Sequence, residues 1–163
     1  PQVIREGTIL LIDGGCGVEG YRSDISRTFV LGTPTDKMRQ NFDLEFAAQT
    51  AAFEAAAPGV PAEDVDAAAR KVIVDGGYGP DYTYFSHRVG HGIGMDGHEW
   101  PYLVRGNKTP LAVGNAFSDE PGIYVMGEFG VRLEDCMYIT ESGAQLFTPQ
   151  SPSLEDPFGN WDH

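Results

Sequence analysis

Apolar and polar positions change their period several times along this 163-residue chain, and each change marks a structural element. The aliphatic run ILLI ends at Asp13, and RSDISRTFVLG follows the glycine-rich GGCGVEGY, so two strands joined by a hairpin loop are predicted. In TDKMRQNFDLEFAAQTAAFEAAAPG the period becomes helical. Met38, Phe42, Phe46 and Phe53 fall on one face at spacings of four, four and seven, and Pro58-Gly59 ends the segment. A second helix is predicted in VPAEDVDAAARKVIVDGG. Pro61 sits early, Glu63 and Asp64 suit the first turn, Val65, Ala69, Val72 and Ile73 form the stripe, and Gly76-Gly77 stops it.

The segment FSHRVGHGIGMDGHEW, residues 85–100, reads as a loop or strand, followed by the loop PYLVRGNKTPLAVG. NAFSDEPGIYV, MGEFG and VRLEDCMYIT then predict a second hairpin with a glycine turn. The tail PQSPSLEDPFGNWDH carries three prolines and little periodicity, which predicts an extended, surface-lying end. The order ββ, αα, histidine segment, ββ is an α+β plan, and the length suits one domain.

Composition narrows the function. The formal charge of -13 opposes a nucleic-acid or anionic-membrane surface, since phosphate binding needs the opposite field. No stretch approaches the length of a transmembrane helix. Cys16 and Cys136 form no CxxC and no metal-type spacing, so they leave the compartment open. The 21 glycines gather at turns between apolar runs, which marks them as loop chemistry rather than disorder.

Each predicted hairpin carries an acidic pair: Asp13 and Asp24 in the first, Glu120 and Glu134 in the second. Charges among core residues are costly unless paired or bound to a cation. Four carboxylates converging on one point would repel, and two divalent cations would cancel them. Oxygen ligands with one imidazole suit Mn, Co or Zn, and such a pair of ions can lower the pKa of a shared water and polarise a carbonyl. Taken singly, an Asp at a strand end is more often a turn former than a ligand; the combination carries the argument.

DGGCGVEGYRSDISRTFVLG, SHRVGHGIGMDGHE, SDEPGIYV and GVRLED occur in the order and approximate spacing of the pita-bread metallopeptidases. That is the family of prolidase, aminopeptidase P and methionine aminopeptidase, and the VRLED form resembles its proline-peptidase branch. The resemblance covers nearly the whole chain to ITESGAQLFT. It implies the C-terminal portion of a pita-bread (creatinase/aminopeptidase-like) fold, with a curved antiparallel sheet and helices on its outer face. Residues 1–148 would be catalytic domain and 149–163 a tail. The implied activity is hydrolysis of the bond before proline in a peptide, with two divalent metal ions.

The resemblance further implies that Asp13 binds one metal, that Asp24 and Glu134 bridge both, and that His91 and Glu120 complete the other. Glu120 would also be the general base. His98, seven residues past His91, matches a histidine that contacts substrate and steadies the tetrahedral intermediate. His87 matches a substrate-binding or proton-shuttling histidine, and a hydrogen-bonded place in the pocket wall is an equal alternative. Arg132 would orient the bridging carboxylate or meet the substrate. Tyr124 reads as strand packing. After HEWP, some archaeal-type prolidases carry an arginine suited to a dipeptide's carboxylate. This chain has Tyr102 there, and Arg105 is the candidate substitute. Dipeptidase and aminopeptidase P action both stay open.

Relatives carry helices and a further histidine ahead of the first ligand strand, and often an additional N-terminal domain. This chain is therefore expected to be the C-terminal piece of a longer polypeptide, partnered by the N-terminal fragment, and family members are often homodimers. The same scaffold also hosts other small-amide or ester hydrolysis, metal-free creatine hydrolysis and non-catalytic binding modules. Filled ligand positions and an acidic surface argue against the last two.

Overall fold

The computed structural model describes residues 3–159. In chain order the elements are β1 (Ile9–Gly14), β2 (Gly17–Val18), β3 (Tyr21–Arg22), β4 (Ile25–Val30), α1 (Asp36–Ala55), α2 (Ala62–Asp75) and β5 (Gly90–Gly92). They continue with β6 (Glu99–Leu103), β7 (Ala116–Asp119), β8 (Gly122–Val125), β9 (Phe129–Arg132), β10 (Asp135–Thr140) and β11 (Gly143–Leu146). The class is α+β, and the strand pairings among the described residues are antiparallel.

β1 pairs with β4, and a five-stranded sheet runs in the order β11-β10-β7-β5-β6. Mutual backbone bonds between Ser26 and Glu134, at 3.3 and 3.2 Å, stitch β4 to the start of β10 and join the two sheets. The second hairpin is present but broken into a tip, β8 with β9, and a stem, β7 with β10. The breaks fall at Glu120-Pro121 and Leu133-Glu134. Pro121 has no N–H to give a ladder, so the strand ends there and frees the acidic residue before it. The last strand, β11, has no periodic signal in the sequence and was not predicted.

Thr35 caps α1 by accepting from the Met38 N–H at 3.2 Å. α1 and α2 pack together on one side of the sheet, where Ala48, Ala52, Val65, Ala69 and Ile73 meet Phe85, Leu103, Phe117, Met137 and Ile139. Each large apolar side chain in that cluster contributes roughly 1.5–3 kcal/mol by burial. The buried face of α1 is Asn41, Phe42, Glu45, Ala48, Gln49 and Ala52. It is rotated from the predicted aromatic stripe, because small alanines admit α2 closely while Phe46 and Phe53 pack only in part.

The tail is extended as predicted but not surface-lying. Leu154 is buried with Val30, Phe42, Val131 and Leu133, and its carbonyl accepts from the Val30 N–H at 3.3 Å. One leucine in an otherwise polar segment suffices to hold the chain down. Residues 160–163 of that tail lie outside the described residues. A second difference concerns β1. Leu11 and Ile12 are exposed, at 37% and 56%, so the aliphatic run is not covered by the described residues.

Candidate metal centre

Strand register assembles the acidic residues. Asp13 is the partner of Ser26 in the β1–β4 ladder, and Ser26 is bridged to Glu134, so the three stand in one row across adjacent strands. Asp24 immediately precedes β4, His91 is the middle residue of β5, and Glu120 follows β7. Asp24, His91 and Glu134 each present a ligand atom within 4.8 Å of the others. The His91 Nε2 lies 3.2 Å from Glu120 Oε1 and 3.8 Å from Asp24 Oδ2. Asp13 is turned to Arg132, whose Nη2 is 2.5 Å from its Oδ2.

Hydrogen bonds aim these side chains. The His91 Nδ1 is 3.0 Å from the Gly92 carbonyl, which only accepts, so Nδ1 carries a proton and Nε2 faces the carboxylates. The Ser118 hydroxyl accepts from the His91 N–H at 3.0 Å and donates to Glu120 at 3.1 Å. The Ser26 hydroxyl donates to Glu134 at 2.7 Å and accepts from Arg132 at 3.2 Å. Gly90 and Gly92 allow the strands to close up here. A Cβ on Gly90 would strike the Ser118 carbonyl, and one on Gly92 would lie 2.5 Å from the Glu99 carbonyl.

The electrostatics call for added positive charge. Burial, then the charges of Glu120, Asp24 and Asp13, push the Glu134 carboxyl up to about 8, against the Ser26 bond. Burial and the Asp13 charge raise Asp24 likewise. Burial would raise Glu120 as well, but its bond to His91 and the charges of His91 and His87 bring it below the usual range. Burial works to lower His91, and the Glu120 bond and neighbouring carboxylates raise it instead. Crowded hard oxygens with one oriented imidazole nitrogen are a donor set that fits divalent cations.

The flanking residues fall into place around this centre. His98 lies against His91 with ring centroids 3.9 Å apart and the ring planes tilted by 53°. His87 sits in the wall: its Nδ1 meets the Arg88 carbonyl at 2.8 Å and its Nε2 the Tyr124 hydroxyl at 2.7 Å. Burial lowers its pKa. Tyr124, read from sequence as packing, therefore has a polar role as well. Arg132 reaches Glu134 through the Ser26 hydroxyl. Tyr102 is the register partner of His91. Arg105 is exposed and paired with Asp81 through both of its terminal nitrogens. Beside Asp24 a cavity of about 780 Å³ opens, bounded by Tyr21, Ile25, Ile93, Trp100, Cys136 and Phe147 among others.

Several supporting residues escaped the sequence reading. Arg27 is buried and donates to Ser26 O, Glu134 O, Asp135 Oδ1 and Pro149 O at 2.7–3.0 Å. Asp66 and Arg70 form a buried pair on α2, from which Arg70 donates to Phe85 O and His87 O, and Asp66 accepts from the Val89 N–H. That pair fixes the segment leading into His91, and its i, i+4 spacing is a signal the sequence did contain. Glu45 and Asp119 are fully buried with carboxylate oxygens that have no hydrogen-bond partner among the described residues. Nothing in their sequence context marks them.

The sequence pattern described as metallopeptidase family M24 matches residues 1–141. The chain is 48% identical over 154 residues to an Xaa-Pro dipeptidase of Lactobacillus delbrueckii subsp. lactis, an alignment covering 94% of this chain and 41% of that protein. The crystal structure of dipeptidase PepE from Mycobacterium ulcerans superposes with a TM-score of 0.88 at 45% identity, covering 93% of this chain and 40% of the other. An X-Pro aminopeptidase from Thermotoga maritima gives 0.89 at 35% identity, covering 94% and 42%. The chain thus spans about two fifths of the length of these relatives.

Proposed function

This chain belongs to metallopeptidase family M24, and from that premise we propose that it carries the metal centre of a hydrolase cutting the peptide bond before proline. Membership implies a divalent metal cofactor. The observation that carries the reading further is the convergence of Asp24, His91, Glu120 and Glu134 on one another, with no lysine or arginine ion-paired to these carboxylates among the described residues. Two divalent ions would balance these three carboxylates together with Asp13, which here meets the Arg132 guanidinium. Asp13 would hold one, His91 and Glu120 the other, and Asp24 and Glu134, each with two oxygens, both.

When bound, the ions supply Lewis acidity and an activated water. The chain's own residues do the rest. Glu120, held ionised beside His91, takes the proton from the attacking water. His98, exposed and set against the His91 ring, would donate to the tetrahedral oxygen. Ser26 transmits the position of Arg132 to Glu134, and His87, kept neutral by burial with its proton on Nδ1 toward the Arg88 carbonyl, accepts from the Tyr124 hydroxyl and orients it.

We place the chain as the C-terminal portion of such a domain, with a preceding segment as its partner. The uncovered Leu11 and Ile12 on β1 and the span of two fifths of the relatives support that placement. Native mass spectrometry of the metal-loaded protein, with hydrolysis of Leu-Pro and Leu-Pro-Gly, tests both parts. The expected result is two divalent ions per chain, lost in Glu134→Gln, and an Xaa-Pro activity that falls at least about 100-fold in Glu120→Gln while metal is retained. A protein that binds no divalent ion, or hydrolyses equally well after Glu134→Gln, would refute it.

A further inference from the structure

We infer that Asn41, Glu45 and Asp119 form a further cation site, buried between α1 and the five-stranded sheet, that takes Ca2+. It goes beyond the hydrolase reading and shares no side chain with the candidate metal centre.

Backbone geometry brings the three together. Asn41, Glu45 and Gln49 follow at intervals of four along the buried face of α1, so they stand one above another. Gln49 donates to the Asp119 carbonyl at 3.2 Å, which seats the end of β7 against that face. Asp119 is the register partner of Asp135, whose carboxylate accepts from the same Gln49 amide at 3.0 Å. Directly paired residues project to one side of a sheet, so the Asp119 side chain points toward α1. Ser118 and Glu120, on either side of it, meet His91 on the opposite face. After burial, the Glu45 charge is what most raises the Asp119 carboxyl, so the two groups lie close.

The second observation is what these groups lack. Asn41 is 2% exposed, and Glu45 and Asp119 are fully buried. The Asn41 amide donates to the Lys37 carbonyl at 2.8 Å and leaves its own Oδ1 unpartnered. Both oxygens of Glu45 and both of Asp119 also have no hydrogen-bond partner among the described residues. Five acceptor oxygens are thus removed from water with no donor between them. Asp135 differs, because Arg27, Gln49 and Thr148 satisfy it. Arg132, whose charge acts on Glu45, is committed to Asp13 and Ser26. Buried carboxylates in this position are costly unless a cation supplies the missing charge.

The donor set selects the ion. Two carboxylates balance a divalent charge, and the amide oxygen adds a neutral ligand. Ca2+ takes about six to eight oxygens, from carboxylates in one- or two-oxygen contact and from Asn carbonyls, in a flexible geometry. Mg2+ gives up its waters reluctantly, which a fully buried layer would require. Metals that seek thiolate or imidazole find neither among these three residues. A water molecule brings hydrogens but no charge. Bound here, the ion would tie α1 to the end of β7, one residue from Glu120.

The test uses protein stripped with EDTA in tetramethylammonium buffer. Each measurement is made in wild type and in Glu134→Gln, which separates this ion from those of the candidate centre. Native mass spectrometry with Ca2+ should show one ion per chain that survives Glu134→Gln and is lost when Glu45→Met or Asp119→Asn is added. The Tm should rise by about 5–10 °C once calcium exceeds its Kd about 100-fold, and by less with Mg2+. Glu45→Met folds without the ion, because an apolar side chain replaces the buried carboxylate, and its Tm should ignore calcium. Asn41→Leu, which loses only the neutral oxygen, should weaken calcium binding about 10-fold.

No calcium beyond that lost in Glu134→Gln would overturn the site. So would a calcium-dependent Tm that persists in both Glu45→Met and Asp119→Asn, or a wild-type Tm indifferent to calcium, the result if water and protons fill the layer. None of these outcomes bears on the hydrolase reading, which fails instead if Glu134→Gln leaves hydrolysis intact.

Discussion

Replacing Arg27 by methionine should destabilise the protein by about 3–5 kcal/mol, because it removes one partner of a buried ion pair and leaves the other in place. The guanidinium is 2% exposed and Asp135 is fully buried, with 2.7 Å between them. Asp135 keeps only the Thr148 hydroxyl and the Gln49 amide. Burial already pushes the Asp135 pKa up, and the Arg27 bond is what chiefly opposes it. Without Arg27 the carboxyl must take a proton or remain charged and short of a partner. Three backbone carbonyls, of Ser26, Glu134 and Pro149, lose the Arg27 donor as well, and those of Ser26 and Glu134 keep only each other's N–H.

Against a typical total stability of 5–15 kcal/mol, such a loss is large, and it should lower Tm by roughly 6–20 °C for a domain of this size. Urea denaturation of wild type, Arg27→Met, Asp135→Leu and the double variant gives a cycle. The double variant should recover part of the loss, since a pair replaced by apolar groups leaves no orphaned charge. The loss should also persist at 0.5 M salt, where an exposed pair would be screened to about 4 Å. A cost under about 1 kcal/mol, or one that disappears with salt, would refute the assignment of Arg27 as the buried hub between β4, β10 and the tail.

Two further outcomes are expected. Burial raises the Glu45 pKa well above the ordinary carboxyl range, against the Arg132 charge, so the folded state holds its proton more tightly than the unfolded chain. Stability from this group is present below the unfolded carboxyl pKa and falls as pH rises from there. Glu45→Met should therefore stabilise the protein at pH 8 by about 1–3 kcal/mol and flatten the decline between pH 5 and 8, and urea midpoints as pH-sensitive as wild type would contradict this. Burial and nearby carboxylates push the Cys136 thiol up to about 12, whereas Cys16 is exposed. Iodoacetamide at pH 8 should then give one adduct by intact mass, at Cys16, and labelling of Cys136 in the folded protein would contradict the burial.

The elements that were legible in the sequence are those with a local signal. Both helices carry a period, a start and a stop within their own residues, and both hairpins carry apolar runs around glycine turns. The acidic set of Asp13, Asp24 and Glu134 was nameable only because four motifs occur together; register brings Asp13 and Glu134 into one row through Ser26, across 108 residues of chain. The buried polar layer was not legible. Glu45 and Gln49 sit where a helical stripe should be apolar, and Arg27 and Asp135 sit in strands whose alternation looks ordinary. Their partners are distant in sequence, so no window of residues contains both halves of the explanation. Arg105 was the candidate by spacing, and only the fold shows it closed on Asp81.

The acidic groups of this sheet form two sets with opposite arrangements. On the candidate metal side Asp24, His91, Glu120 and Glu134 converge with their ligand atoms turned toward one another, Glu134 and Glu120 held by serine hydroxyls and His91 by the Gly92 carbonyl. On the helix side Asp135 is satisfied by Arg27, Gln49 and Thr148, while burial raises the Asp119 and Glu45 carboxyls well above the usual range. Glu120 and Glu134 each adjoin a member of that second set, Asp119 and Asp135, and alternation along the strand sends consecutive side chains to opposite faces. A carboxylate turned the wrong way would add charge to an already crowded centre or leave the first set short of a ligand. The Asp119 and Asp135 register pair, pinned by Gln49 from α1, thus fixes which face each neighbour takes. The helix side sets the geometry of the metal side through the backbone it shares with it.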